Sequence, residues 1–182
     1  MKILLHGCCA ACLIAPYRFL RESGEDAVAF FYNPNIMPYR EFRSRLACFK
    51  DYTTSQNISN IYDENYPLEY MLKKYLEPGE KSRCQLCYEI RLNETARIAA
   101  EKDFNAFSTT LLVSPYQDHD LIRKAGEEAG FRYHVHFIFR DWRPDFLSSH
   151  EEAKQRNLYL QSYCGCIFSE EERYRKRKNP PS

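Results

Sequence analysis

Three short cysteine groups carry most of the chemistry this chain offers: Cys8, Cys9 and Cys12; Cys84 and Cys87; Cys164 and Cys166. Of the eight cysteines only Cys48 stands apart, and it reads as a buried apolar residue with no functional role. Thiolates are soft ligands, so thiols gathered in three places along one small chain point to a soft metal centre. In His6-Gly7-Cys8-Cys9-Ala10-Ala11-Cys12 the glycine lets the backbone turn, and a helix starting there lowers the thiol pKa through its partial positive charge. Adjacent Cys8 and Cys9 cannot point the same way from a helix, so they are expected to serve different metals or different irons, whereas Cys9 and Cys12 can share a face. Arg83-Cys84-Gln85-Leu86-Cys87-Tyr88 is a C-x-x-C at a helix mouth, and Cys164-Gly165-Cys166 suits a metal pair or a reversible disulfide.

A single C-x-x-C fits a redox site, half a zinc site or two inert thiols equally well. Three groups, each beside a helix start, favour metal or redox work. A closed zinc site takes four ligands and leaves three thiols without a task, whereas an iron-sulfur cluster takes three or four and leaves others for a second site or catalysis. Iron-sulfur is therefore favoured over zinc, although the ferredoxin spacing is absent.

These groups must be positioned by elements, and short apolar runs alternating with longer amphipathic ones predict βαβ units and a mostly parallel sheet of about five strands. Strands are expected at Lys2 to His6, Ala27 to Tyr32, Ile58 to Tyr62, Ala106 to Val113 and Tyr133 to Phe139. Helices are expected at Ala11 to Glu22, Arg40 to Ser55, Pro67 to Tyr75, Tyr88 to Lys102, Asp118 to Ala129 with a stop at Gly130, His150 to Leu160, and Glu170 to Lys176. Glu77-Pro78-Gly79-Glu80 breaks the chain ahead of Cys84, and Arg140 to Phe146 is polar and proline-broken. The fold class predicted is α/β, a Rossmann-like three-layer sandwich whose sites lie where strands end and helices begin.

Bulk properties narrow the setting. The 182 residues suit a single catalytic domain, with a charged C-terminal tail from about residue 170. A net charge of +1 with 28% charged residues names no partner by itself. The N-terminal residues lack the apolar region and cleavage site of a secretory signal, and no apolar run approaches membrane-spanning length, so a cytoplasmic protein with no membrane partner is expected. In a reducing compartment grouped thiols bind metal or do redox work more often than they form disulfides.

The strings HGCCAAC, YNPNI, RCQLCYEIRL, FSTTLLVSPYQDHDLI, FRDWRP and YCGCIFS together resemble the cobalamin-independent epoxyqueuosine reductases, the QueH family, from about Leu4 to Ser169. Ala11 departs from the proline expected before the third cysteine, an exchange a helix start tolerates. The resemblance implies an oxidoreductase that reduces epoxyqueuosine at the wobble position of tRNA to queuosine, using a 4Fe-4S cluster with an additional iron beside it and an external electron donor. Carried over by motif, Cys8, Cys9, Cys84 and Cys87 are the expected main metal ligands. Cys12, Cys164 and Cys166 are candidates for the additional metal or a redox pair.

Epoxide removal needs two electrons, protons, and something to stabilise charge on the departing oxygen. Asp141 is the candidate metal ligand or proton donor, while His6 and His119 rank lower as hydrogen-bonded structural residues. On the tRNA side, Tyr32, Asn33, Tyr39 and Tyr116 fall on strand-end loops suited to an extruded base. Arg173, Arg175, Lys176, Arg177 and Lys178 form a basic tail, and Arg40, Arg43 and Arg45 a second patch, for phosphates. Two other readings fit the thiols: a cluster-dependent sulfur-handling enzyme, and a zinc-stabilised tRNA-binding module.

Overall fold

The computed structural model describes residues 1–77 and 79–175. Pro78 and the tail residues Lys176, Arg177 and Lys178 lie outside the described residues, as does the end of the helix expected to reach Lys176. Five parallel strands form one sheet in the order β3-β2-β1-β4-β5: β1 Lys2–His6, β2 Asp26–Phe31, β3 Asn60–Tyr62, β4 Ala106–Thr109 and β5 His136–Phe137. Among the described residues seven α-helices accompany them: α1 Ala10–Glu22, α2 Tyr39–Ser55, α3 Leu68–Leu76, α4 Arg83–Glu101, α5 His119–Tyr133, α6 Phe146–Gln155 and α7 Ile167–Arg175.

β1 is buried on both faces, with Ile3, Leu4 and Leu5 fully covered, as a central parallel strand between helix layers must be. On one side α1 packs with α2 and α6; on the other α4 packs with α5 over β1 and β4. The chain runs β1, β2, β3 outward in one direction and then crosses back to β4 beside β1. The strand order therefore reverses between β1 and β4, and the crevice beyond their carboxyl ends is where such sheets bind ligands. The expected Rossmann-like three-layer α/β architecture is the one observed.

Several boundaries differ for local reasons. α4 begins at Arg83, five residues ahead of the expected Tyr88, because Ser82 caps it: its hydroxyl accepts the Gln85 amide at 3.2 Å. β4 ends at Thr109, short of the expected Val113, because the Thr109 hydroxyl accepts the Leu111 amide at 3.2 Å and turns Thr110–Val113 into a 3-10 helix. α5 does not stop at Gly130 but runs to Tyr133 and ends at a left-handed His134. Gly130 serves close approach instead, since a Cβ there would lie 2.7 Å from the Val135 carbonyl oxygen. α6 starts at Phe146 and ends before Asn157, whose φ of 55° breaks it, so the expected span to Leu160 shortens and shifts. β5 is only His136–Phe137, although the Phe107 carbonyl still accepts the Ile138 amide at 2.9 Å.

Candidate metal centre

The register of β1 sets the first thiol group in place. His6 pairs with Thr109 of β4 and Phe30 of β2, and its ring bridges the Thr109 hydroxyl at 2.8 Å and the Tyr32 carbonyl at 3.0 Å. Burial, then the Arg91 charge, pushes the imidazole pKa down to about 4, so His6 is a neutral structural tie. Gly7 follows against the Phe49 ring, which a Cβ would approach to 2.4 Å. The Asn33 side chain, 2% exposed, donates to the Gly7 carbonyl at 2.9 Å and ties the loops after β1 and β2 together. Asn33 thus acts on the backbone beneath the cysteines rather than being offered to a base.

Cys8, Cys9 and Cys12 are buried, and their sulfur atoms all lie within 4.8 Å of one another. The expectation that Cys8 and Cys9 diverge assumed both inside a helix. Cys9 is instead the N-cap of α1 with extended backbone, φ −167° and ψ 169°, and its sulfur accepts the Cys12 amide at 3.3 Å. Cys12 therefore joins Cys8 and Cys9 instead of separating from them. Thiols donated by Cys12 and Cys9 hold Cys8 well below the usual thiol range, and the Thr110 hydroxyl reinforces this at 3.4 Å. Thr110 also accepts the Cys8 amide at 3.0 Å, so one hydroxyl from β4's end fixes both polar ends of Cys8.

The other four grouped cysteines, Cys84, Cys87, Cys164 and Cys166, form a looser assembly at the start of α4. Cys87 lies in a buried cluster with Met37, Met71 and Tyr75, against which Cys166 packs. Burial pushes the Cys84 thiol up, with Cys164, Cys87 and Cys166 adding to it as neighbours. Arg83 lies 4.0 Å over the Phe168 ring, joining α4 to α7. The Cys164-Gly165-Cys166 segment is held on α2 by Arg45, which donates to the Cys164 carbonyl at 3.0 Å and the Tyr163 carbonyl at 2.9 Å. Arg45 is 1% exposed and paired with Glu41 at 2.7 Å, so it leaves the expected phosphate-facing patch, of which Arg40 and Arg43 remain exposed.

All eight cysteines are free thiols. Among the described residues, Cys8, Cys9 and Cys12 form the one group of metal-ligating side chains drawn this close together. The donor set fits a soft metal: three buried sulfurs converge, and the buried Tyr75 packs in one cluster with Cys87 and Cys166. Burial pushes that phenol far up, so it keeps its proton and can donate to a thiolate.

Asp141 is exposed and bound by Arg143, whose Nε lies 2.9 Å and 3.0 Å from its two carboxylate oxygens, with His119 3.9 Å away. The Arg143 hydrogen bonds lower its pKa to about 2, so it is an ionised carboxylate and not a proton donor near neutral pH. Tyr39 and Tyr116 are exposed, the latter at 84%, with Tyr116 edge-on to Phe146. Tyr32 is half-buried and stacked on Phe30, Arg173 and Arg175 are exposed on α7, and Cys48, expected to be buried, is only half-buried against the core. Sequence reasoning missed Thr110, Tyr75 and Arg91. Arg91 alone left a signal, since it falls four residues after Cys87 on the same helix face.

A doubly wound α/β fold with buried thiols converging at its strand-order switch point defines a metal-binding protein of the Rossmann-like class. The family model described as epoxyqueuosine reductase QueH matches residues 3–172. Proteins of that description from Dehalococcoides mccartyi (34% identical, 98% of each chain covered) and Thermotoga maritima (34% identical, 96% of this chain and 93% of the relative) are similar to it. One from Acinetobacter baylyi is 33% identical, over 92% of this chain and 80% of that relative. The chain belongs to the QueH family of epoxyqueuosine reductases. Among solved structures, the tRNA thiolase NcsA from Methanococcus maripaludis, determined with its 4Fe-4S cluster, shares the fold at TM-score 0.58 and 14% identity. The match covers 89% of this chain and 59% of that one.

Proposed function

We infer that the thiol-lined end of the sheet holds a 4Fe-4S cluster with a further iron beside it, and that the family's reaction, reduction of epoxyqueuosine in tRNA to queuosine, takes place there. The observation that carries this is the convergence of the Cys8, Cys9 and Cys12 sulfurs within 4.8 Å, buried beyond β1. The reaction breaks both epoxide C–O bonds, forms a C=C bond, and consumes two electrons and two protons as the oxygen leaves as water. When bound, such a centre passes on electrons one at a time from an external donor and offers an open metal position as Lewis acid.

The chain's own residues do the rest. Cys8, Cys9 and Cys12 supply sulfur ligands from one loop, and Thr110 fixes Cys8. Cys84, Cys87, Cys164 and Cys166 supply the remaining thiols, more than one cluster needs. Asp141, ionised, serves as a ligand or electrostatic group. The exposed rings of Tyr39 and Tyr116 are available to stack on an anticodon base, and Arg40, Arg43 and Arg173 to meet phosphates.

Anaerobic preparation tests the reading. We expect a brown protein containing iron and sulfide, a broad visible absorption bleached by dithionite, and conversion of epoxyqueuosine-containing tRNA under reductant. A colourless protein carrying stoichiometric zinc would sink the iron-sulfur reading.

A further inference from the structure

Two arginines are buried among the described residues, and they are satisfied in different ways. Arg45 has Glu41 and two backbone carbonyls. Arg91, 3% exposed, donates from Nε to the Cys87 carbonyl at 3.3 Å, and its side chain makes no other hydrogen bond among the described residues. It also has no carboxylate there within ion-pair distance. A guanidinium stays protonated at any working pH and carries five N–H donors, so burying it without an anion is costly.

What surrounds it is sulfur and phenol. Cys84, Cys87 and Arg91 lie at spacings of three and four along α4, one stripe of the helix, and α4 packs over β1, which leads into Cys8. The titratable groups facing Arg91 are Cys87, Cys8, Tyr75 and Tyr88, with the neutral His6 behind. The Tyr88 ring lies 5.9 Å from the guanidinium carbon. Arg91 is thus a buried cation on the cysteine stripe of α4, the helix that packs over β1 ahead of Cys8.

We propose that Arg91 is the built-in counter-charge of the metal–thiolate centre, a positioning residue that raises the centre's reduction potential. The inference rests on the iron-sulfur reading above. Each electron added makes a thiolate-bound cluster more negative, and a fixed positive charge beside it in a low-dielectric interior stabilises the reduced form more than the oxidised.

The test uses the full chain, prepared anaerobically and reconstituted with iron and sulfide, as wild type, Arg91→Gln and Arg91→Lys. Iron content, the midpoint potential from an EPR-monitored titration, and the thermal midpoint of the metal-free forms are measured. We expect Arg91→Gln to shift the reduction equilibrium about tenfold toward the oxidised state, 59 mV for a one-electron couple. Arg91→Lys should recover most of that shift. Metal-free Arg91→Gln should be at least as stable as the metal-free wild type, because the charge removed had no carboxylate partner. If Arg91→Gln fails to hold iron, a lysine variant that holds it with a near-wild-type potential supports the counter-charge role. Loss of iron in both variants, or a marked fall in metal-free stability with Gln, makes Arg91 a structural residue and overturns the proposal. An unshifted potential with full iron overturns this proposal alone, whereas a wild type that takes up no iron-sulfur centre overturns the underlying reading as well.

Discussion

At Cys8 a single hydroxyl, that of Thr110, accepts the backbone amide and reaches the sulfur. Supporting groups of this kind orient a ligand and tune its basicity, and their removal typically costs about 10- to 100-fold in metal affinity. Thr110→Val preserves shape and deletes both contacts, leaving a buried amide unsatisfied. We expect iron retention against a chelator to weaken by about that factor, with a fall in stability of about 1–3 kcal/mol in the metal-free chain by denaturant unfolding. Unchanged iron retention would mean that Thr110 serves only the backbone. The cysteines themselves were legible from the sequence because residue type and grouping suffice to identify soft ligands. Thr110 was not, because a threonine 102 positions from its partner has no local signature. Asp141 was legible as a candidate, but its state was set by Arg143, which holds it ionised.

The element that matters most for the second thiol group is the first turn of α4. Ser82 and Gln85 form an S-x-x-Q start signal, which places Cys84 and Cys87 within the helix rather than ahead of it. That signal was present in the sequence, and the apolar periodicity from Tyr88 onward masked it. The third group depends on α2. Arg45 clamps the Tyr163 and Cys164 carbonyls to this helix, while the Met37 amide donates to the Gly165 carbonyl at 2.8 Å. Arg45→Met should leave Glu41 without its cation, with only the Tyr159 hydroxyl still donating to it, and release the Cys164-Gly165-Cys166 segment, costing about 3 kcal/mol. Amide exchange should then accelerate over residues 160–170 and stay unchanged in β1. A variant with wild-type exchange throughout would show that packing alone holds the segment.

Across the whole molecule, the crossing of the chain back from β3 to β4 opens the crevice in which the first thiol group sits. Segments far apart in sequence then share one end of the sheet: the β1 loop, the head of α4 and the entry to α7. If all seven grouped thiols serve one metal assembly, loading it should slow amide exchange together over residues 8–12, 84–91 and 163–167. It should also raise the thermal midpoint, since binding to the folded state at 100 times the dissociation constant adds about 2.7 kcal/mol. Protection confined to residues 8–12 would assign the centre to Cys8, Cys9 and Cys12 alone. Among the described residues no helix is long and apolar enough to cross a membrane.

The sequence by itself determined the chemistry and the class of fold. Residue types name soft ligands without reference to shape, and alternating apolar periods demand a parallel sheet between helices. Motif spacing carried the family, which the comparisons then showed. Tertiary structure alone decided which groups act on which. It brought Cys12 to Cys8 and Cys9 through the extended cap at Cys9, turned Arg45 inward, and buried Arg91 beside Cys87 with no carboxylate partner among the described residues. Each of these depends on a backbone torsion or a long-range approach, and no local pattern of residues encodes either.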